Sequence, residues 1–480
     1  MRYSTTTRRL AGTVAGAAAL AGAACKDPTS VPDLNNLPIS TIAGGLNANL
    51  TQLLVTGLIS RDRNITGIRY YQFSETLARD VYNIDPSEPR FQTELLGNAI
   101  DAAGFIGASG GFTEAFNAVA TANTIINGAD AVADYSAAQK NGVKGIAHTF
   151  KALALYRALE LRGTNGIPLD NSPVEATPAQ QLPIRCEPAA LAAISATLDS
   201  GATELAAAGT AFAVTLPTGF TSNGNFGTPA TFLRFNRGLA GRTEFYRGLR
   251  GGGVAAFTRA LTALNASFAS TTAPTTDGVY STFAAAPDIF NPLAVGTIYL
   301  NPTVTTAAAG AGAFGQSQVL QSGDTRASKV TTAATTTTRN GVSSNLRTTV
   351  ASTAQATRTR PLPILRNAEL LLLRAQAEIE LSQLPAATAD INSVRTREGG
   401  LAAIPTVAAR DEGVQRVLYE KRFSLLLEGA QRLVDLRSYG LLNAANLGAS
   451  QRGTADTFQT ALPIPQQERD ARGGNFTCQQ

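Results

Sequence analysis

The 480 residues include no tryptophan, one histidine, one methionine and three cysteines. Each scarcity removes a class of chemistry. His148, the single imidazole, has no Cys, Asp or Glu cluster beside it in the sequence, and a metal centre needs several such ligands. It also leaves one choice of imidazole base for a serine or cysteine hydrolase, and no Gly-x-Ser-x-Gly elbow accompanies it. Acidic residues are scattered, with no pair in a glycine- or aromatic-rich loop, which disfavours the facing carboxylates of a glycosidase. No basic run is interleaved with aromatics, so nucleic acid is not the expected partner. The missing tryptophan weakens a broad sugar-stacking platform, although tyrosine can take that role.

What is present is alanine, glycine and threonine, with a hydrophobic fraction of 44% that is ample for a core. Length alone suggests about three units of ~150 residues. Helical repeats relax that limit, because each repeat buries its face on its neighbours. The formal charge is +5, but residues 1–24 hold Arg2, Arg8 and Arg9 and no acid; the remainder has 37 basic and 35 acidic residues, or +2. Residues 1–24 read as a secretory signal, with a positive start and an apolar run from Leu10 to Ala24 too short to span a bilayer. Cys25 follows Leu20-Ala21-Gly22-Ala23-Ala24. This resembles a bacterial lipoprotein processing site, with Gly22 where a branched residue is preferred. On that resemblance Cys25 carries a diacylglycerol thioether; the alternative is ordinary cleavage after Ala23 or Ala24. Lys26-Asp27 resembles the short charged signal that sends such lipoproteins to the outside of the outer membrane. Residues 25–38 then form a polar, proline-punctuated tether, and 39–480 a single domain.

Residues 39–135 read as mainly helical, with Ile42, Leu46, Leu50, Leu53 and Leu54 on one stripe. Tyr70, Tyr71, Phe73, Leu77, Val81 and Tyr82 form the most aromatic patch in the chain and enclose Arg79-Asp80. Ring faces that stack and charged groups that direct hydrogen bonds are what a small polar ligand needs, so Tyr70, Tyr71, Arg79, Asp80 and Tyr82 are ligand-binding candidates. The same spacing also fits a helix core. Helices are expected over 112–128, 138–163, 191–208 and 235–266. In 268–360 serine, threonine, alanine and glycine dominate and disfavour helix, so this is expected to be a loop-rich insert with a few strands. Long loops on a rigid frame are where binding concentrates, which adds Tyr280, Phe290 and Tyr299 as candidates.

Residues 361–440 carry the least interrupted helical pattern. Ile364, Leu365, Ala368, Leu371, Leu372, Ala375 and Ile379 share a face; Leu384-Pro385 breaks the run. Ala387, Ile391 and Val394 line a second helix that ends at Gly399-Gly400. A third is expected from about Asp411 to Gly440. Ala375 and Ala387 let consecutive helices approach closely, as in a tetratricopeptide-type pair. Helical spacing puts Glu428 beside Arg432 and Arg432 beside Asp435. Such pairs are worth roughly 0.2–0.5 kcal/mol each when exposed; a buried network matters more, because an unpaired buried charge is costly. We read Arg366, Glu369, Asn392, Arg395, Glu420, Glu428, Arg432 and Asp435 as structural staples.

Taken together these residues resemble a family pattern. Arg366 with Ala368-Glu369, Ile391-Asn392 with Val394-Arg395 and Arg397, Glu420-Lys421-Arg422, and Glu428-Gly429 with Arg432 and Asp435-Leu436 resemble the C-terminal half of the SusD/RagB family. Ala122-Asn123-Thr124-Ile125, Gly166-Ile167-Pro168-Leu169, Asp324-Thr325-Arg326 and Pro463-Ile464-Pro465 add to it. Lys421 within the Glu-Arg pair and Arg374-Ala375-Gln376-Ala377 depart from it. The resemblance implies a mainly α fold of tetratricopeptide-like helix pairs in a right-handed superhelical scaffold with long irregular ligand-binding loops. It implies a cell-surface outer-membrane lipoprotein, without cofactor or metal, that binds a nutrient such as an oligosaccharide. The nutrient would pass to a SusC-like TonB-dependent barrel without bond chemistry. A helical scaffold for protein partners and, further off, a surface hydrolase are the alternatives. With Cys25 lipidated, Cys186 and Cys478 remain, either as a disulfide in an oxidising compartment or as two free thiols.

Overall fold

Apolar residues at helical spacing set the architecture of the C-terminal nine-tenths of the chain. The computed structural model describes residues 45–480, apart from Asn98, Val174 and Pro287. The expected signal, Cys25 and the tether lie outside the described residues. Residues 47–480 form one compact unit.

Helix α1 (Ala48–Ile65) starts at Asn47, whose side chain accepts the Leu50 N–H at 2.9 Å, satisfying one donor that the first turn leaves free. Helix α2 (Ile68–Leu77) follows directly. Then come α3 (Phe112–Gly128), α4 (Ala137–Arg162), α5 (Glu187–Ala206), α6 (Pro229–Arg247) and α7 (Gly253–Asn265). The C-terminal set is α8 (Asn367–Glu380), α9 (Leu384–Glu398), α10 (Arg410–Ser424) and α11 (Gln431–Ser438). From α3 onward each helix packs on the next in sequence. No single amphipathic helix can cover its own apolar stripe, so the stack buries each on its neighbours. Small residues set the spacing. A Cβ at Gly145 of α4 would lie 2.6 Å from Leu205 Cγ of α5, and Ala375 and Ala387 are fully buried between α8 and α9. His148 is a staple between α4 and α5, its Nδ1 2.7 Å from Glu204.

The insert holds more strand than its composition announces. Strands β1 (Val81–Asn83) and β3 (Ile298–Leu300) pair antiparallel, as do β2 (Gly278–Ser281) with β6 (Leu362–Arg366) and β4 (Val330–Arg339) with β5 (Val342–Thr348). The threonine run 331–338 forms most of β4, because a β-branched side chain suits a pleated surface. Asn340 and Gly341, both at positive φ, close the hairpin. Within the hairpin it is β5 and not β4 that buries alternate residues, Val342, Ser344, Leu346 and Thr348.

The single helix expected over 411–440 is two. The chain breaks between Ser424 and Gln431, and Leu427 sits at φ +59°. Neither pairing that helical spacing suggested forms. Glu428 turns to Arg366 (Nε to Oε2, 2.6 Å), not to Arg432. Arg432 reaches Asp80 at 3.0 Å, and Asp435 pairs with Lys421 at 2.6 Å. The remaining staples also cross between elements. Arg366 holds Glu398 as well. Glu369 meets Arg242 of α6 at 2.7 Å. Glu420 joins Arg395 (3.0 Å) to Arg326 (2.7 Å), which also binds Asp324. Asn392 hydrogen-bonds both backbone groups of Ile404. These groups are buried or half-buried, so they are not the exposed pairs that the sequence spacing suggested.

The tail docks as an extended strip. The Leu462 N–H donates to Leu161 O at 2.7 Å, and Leu462 and Ile464 are buried. Cys186 and Cys478 form a disulfide, flanked by bonds from Cys186 N–H to Gln479 O and from Gln479 N–H to Ile184 O, both 2.8 Å.

Candidate ligand-binding site

After α2 the chain turns sharply at Arg79, which adopts φ +64°, a left-handed conformation uncommon outside glycine. The turn sends Asp80 back into the interior and leads into β1. Register then sets Tyr82 of β1 opposite Tyr299 of β3. The Asn301 N–H, just beyond β3, donates to Asp80 O at 2.8 Å. Residues 301–309 thereby lie against Arg79, and residues 447–451 and Phe458 close over them. Together with Gln318, Arg422 and Arg432 they enclose a cavity of about 360 Å³, within the size range of small-ligand sites.

The wall is chemically lopsided. Three guanidinium groups line it (Arg79, Arg422 and Arg432), and among the lining residues there is no carboxylate. Asp80 sits behind, taking Arg422 at 2.8 Å and Arg432 at 3.0 Å. Arg422 and Arg432 separate the cavity from a much smaller polar recess that contains Asp80 and Glu75. Burial, and then the Asp80 charge, push the Glu75 carboxyl far up, toward its neutral form. Burial lowers Arg79 and brings Arg422 down to about 10; a guanidinium stays cationic at neutral pH. Burial also raises the Tyr82 hydroxyl to about 12, keeping it a neutral donor. Arg79 lies over the Phe458 ring, 4.8 Å from its centroid, so an aromatic face and a cation stand side by side.

The structure brings two of the aromatic-patch candidates into the wall, Arg79 and Tyr82, with Arg432 from the group read as staples. Tyr70 and Tyr71 are core residues: Tyr70 Oη donates to Glu160 (2.6 Å) and accepts from Arg157 (2.9 Å) and from the Ala430 N–H (3.1 Å). Tyr299 stacks under Arg347, 4.0 Å from the ring centroid, and takes a bond from Thr337 at 3.1 Å. Tyr280 gives its hydroxyl to Thr276 O at 2.5 Å. Phe290 is surface-exposed beside Arg358. None of Tyr280, Phe290 and Tyr299 lines the cavity. Sequence reading missed Phe458, Arg422, Asn301 and Gln318. Phe458 is a lone ring in a tail without a periodic pattern, and Arg422 stands out only as part of the Glu420-Lys421-Arg422 family pattern.

The SusD family model matches residues 297–474, the segment that supplies most of the cavity wall. Over that segment the chain matches the SusD/RagB family. Solved structures of this fold extend the likeness over the rest of the chain. A SusD superfamily protein from Bacteroides thetaiotaomicron is 15% identical, with TM-score 0.64 over 89% of this chain and 99% of that one. A putative sugar-binding protein from Bacteroides vulgatus is 14% identical, with TM-score 0.60 over 90% and 98%. A SusD-like carbohydrate-binding protein from the same species is 14% identical, with TM-score 0.55 over 81% and 83%. At these identities the likeness is one of fold. No curated protein matches the sequence. The mainly α scaffold of the SusD family is therefore present here, and among the described residues no helix is long and apolar enough to cross a membrane.

Proposed function

We propose that this SusD-family protein is a cell-surface lipoprotein of the outer membrane, anchored through Cys25, that binds a nutrient in the Arg79–Phe458 cavity and delivers it to a SusC-like TonB-dependent barrel. The nutrient is an oligosaccharide or another polar oligomer, and the protein changes no bond in it. The observation that carries this reading is the cavity itself. Loops of the insert and the tail, set on a rigid helical stack, enclose an aromatic face together with side-chain amides and cations. The sugar-binding descriptions of two solved proteins of this fold support the saccharide reading. In the domain plan that accompanies it, residues 1–24 are a cleaved signal, 25–38 a tether and 39–480 one SusD-like domain. Delivery requires the closed state against the barrel to bind the ligand more tightly than the open state, since a ligand shifts a conformational equilibrium only through differential affinity.

The test is purification of the tagged protein in mild detergent from its native outer membrane, with mass spectrometry of its N-terminal peptide and of what accompanies it. A diacylated Cys25 and a barrel in roughly equal amount are expected. An unmodified soluble chain without a barrel would remove the anchor and the delivery step.

A further inference from the structure

The charge of the cavity wall narrows the ligand, provided that the cavity is the nutrient site. Of the three guanidinium groups in the wall, Arg422 is fully engaged. It bonds Asp80, the Gln318 carbonyl at 2.6 Å and both oxygens of Thr303. Arg432 gives Nε to Asp80 (3.0 Å) and Nη1 to Gln318 Oε1 (3.3 Å), and no described residue accepts from its Nη2. Arg79 spends Nη2 on Thr457 O (2.6 Å) and Leu96 O (3.3 Å). Its Nε and Nη1 are buried with no hydrogen-bond partner among the described residues.

A guanidinium with idle donors in a desolvated wall is costly unless something accepts from it. The neighbouring carboxylates do not fill that role. Asp80 is shared by Arg422 and Arg432. Asp456, the acid that acts on Arg79 electrostatically, is paired with Arg452 at 3.4 Å and bonded by Ser450. The Glu75 carboxyl lies behind Asp80, outside the cavity. The wall thus carries more positive charge than its surroundings neutralise. A neutral sugar hydroxyl can satisfy one such donor. An oxyanion satisfies two with charge-assisted, forked geometry, which is what a guanidinium presents.

We propose that the ligand of this cavity is acidic: a saccharide bearing a carboxylate or a sulfate, whose oxyanion docks on Arg79 and Arg432 while its ring lies against Phe458. The inference deepens the nutrient-binding reading and rests on it.

The test is isothermal titration of the purified domain with trigalacturonate, its neutral methyl ester and a sulfated disaccharide, each at low and high salt. One of the two acidic probes is expected to bind at least tenfold more tightly than the methyl ester, with that advantage shrinking at high salt. Which of the two binds identifies the anion. Arg79→Gln and Arg432→Gln should each remove most of the advantage, and Arg79→Lys should keep part of it. Thermal melts confirm that each variant is folded; should Arg432→Gln not fold, the acid-to-ester ratio of the wild-type domain decides alone. An ester that binds as tightly as the acids overturns the inference and leaves the nutrient-binding reading intact. Failure of all three probes also overturns it, whereas co-purification with a barrel judges the delivery reading separately.

Discussion

Asp435→Ala should destabilise the domain by about 3–5 kcal/mol, the range for removing one partner of a buried ion pair. Asp435 is buried and holds Lys421 Nζ at 2.6 Å, the Tyr246 hydroxyl at 2.9 Å and the Gln376 amide at 3.2 Å. It therefore ties α11 to α10, α8 and α6. Its loss strands a buried ammonium group and two buried dipoles, and none of them can reach water without opening the stack. Lys421→Met combined with Asp435→Leu should recover much of the loss, because a packed apolar pair avoids the desolvation cost. Denaturant unfolding of the three proteins checks both statements. Loss below about 1 kcal/mol in Asp435→Ala would mean that the pair is hydrated and is not a staple. Lys421 departs from the family pattern, and the structure gives it a job: it is the cation that Asp435 needs.

The second large effect concerns the disulfide. Cys186 lies immediately before α5, Cys478 lies two residues from the C-terminus, and the bridge spans 292 positions. Closing a loop of that size removes about 5–6 kcal/mol of unfolded-state entropy in the chain-entropy limit, although measured gains are typically ~2–4 kcal/mol. The double variant Cys186→Ser/Cys478→Ser should lose roughly that smaller amount. It should also free the tail: hydrogen exchange is expected to rise at the amides of positions 186 and 479, which bond across the bridge, while α8 and α9 stay protected. Equal unfolding midpoints with and without reductant would show that the tail is held by its backbone bonds alone.

Periodic features of the fold were legible in the sequence. Helices α3, α4, α8 and α9 follow from their apolar stripes, and the close approach at Ala375 and Ala387 follows from side-chain size. The break at Leu427 was not legible, because Val414 to Leu436 keeps a helical rhythm across it. Past the break Glu428 meets Arg366, sixty-two positions away, and spacing cannot reveal a partner at that distance. The threonine run shows the converse. Its residues correctly disfavour helix, but the strand forms only because Val342, Ser344 and Leu346 supply a buried partner face.

The candidate site was half legible, for the same reason. Arg79 and Tyr82 stand out as charge and ring in one short stretch. Tyr299 belonged to a second group, and the pairing of β1 with β3 brings the two groups together without placing Tyr299 in the cavity. Arg422 meets Asp80 across 342 positions. Tyr70 and Tyr71 looked like ligand rings because an aromatic stripe on a helix reads the same whether it faces a cavity or a core. The buried partners Glu160 and Arg157 decide for the core.

The most direct measurement is calorimetric titration of the wild-type domain and of Phe458→Ala against a panel of neutral and acidic oligosaccharides. Phe458 lines the cavity and is only half-buried, so its removal should leave the fold intact. At least one saccharide should bind the wild-type domain, and Phe458→Ala should weaken it about three- to tenfold, the worth of one ring contact, with an unchanged melting temperature. Saccharide binding that is unaffected by Phe458→Ala would place the ligand elsewhere and contradict the assignment of this cavity.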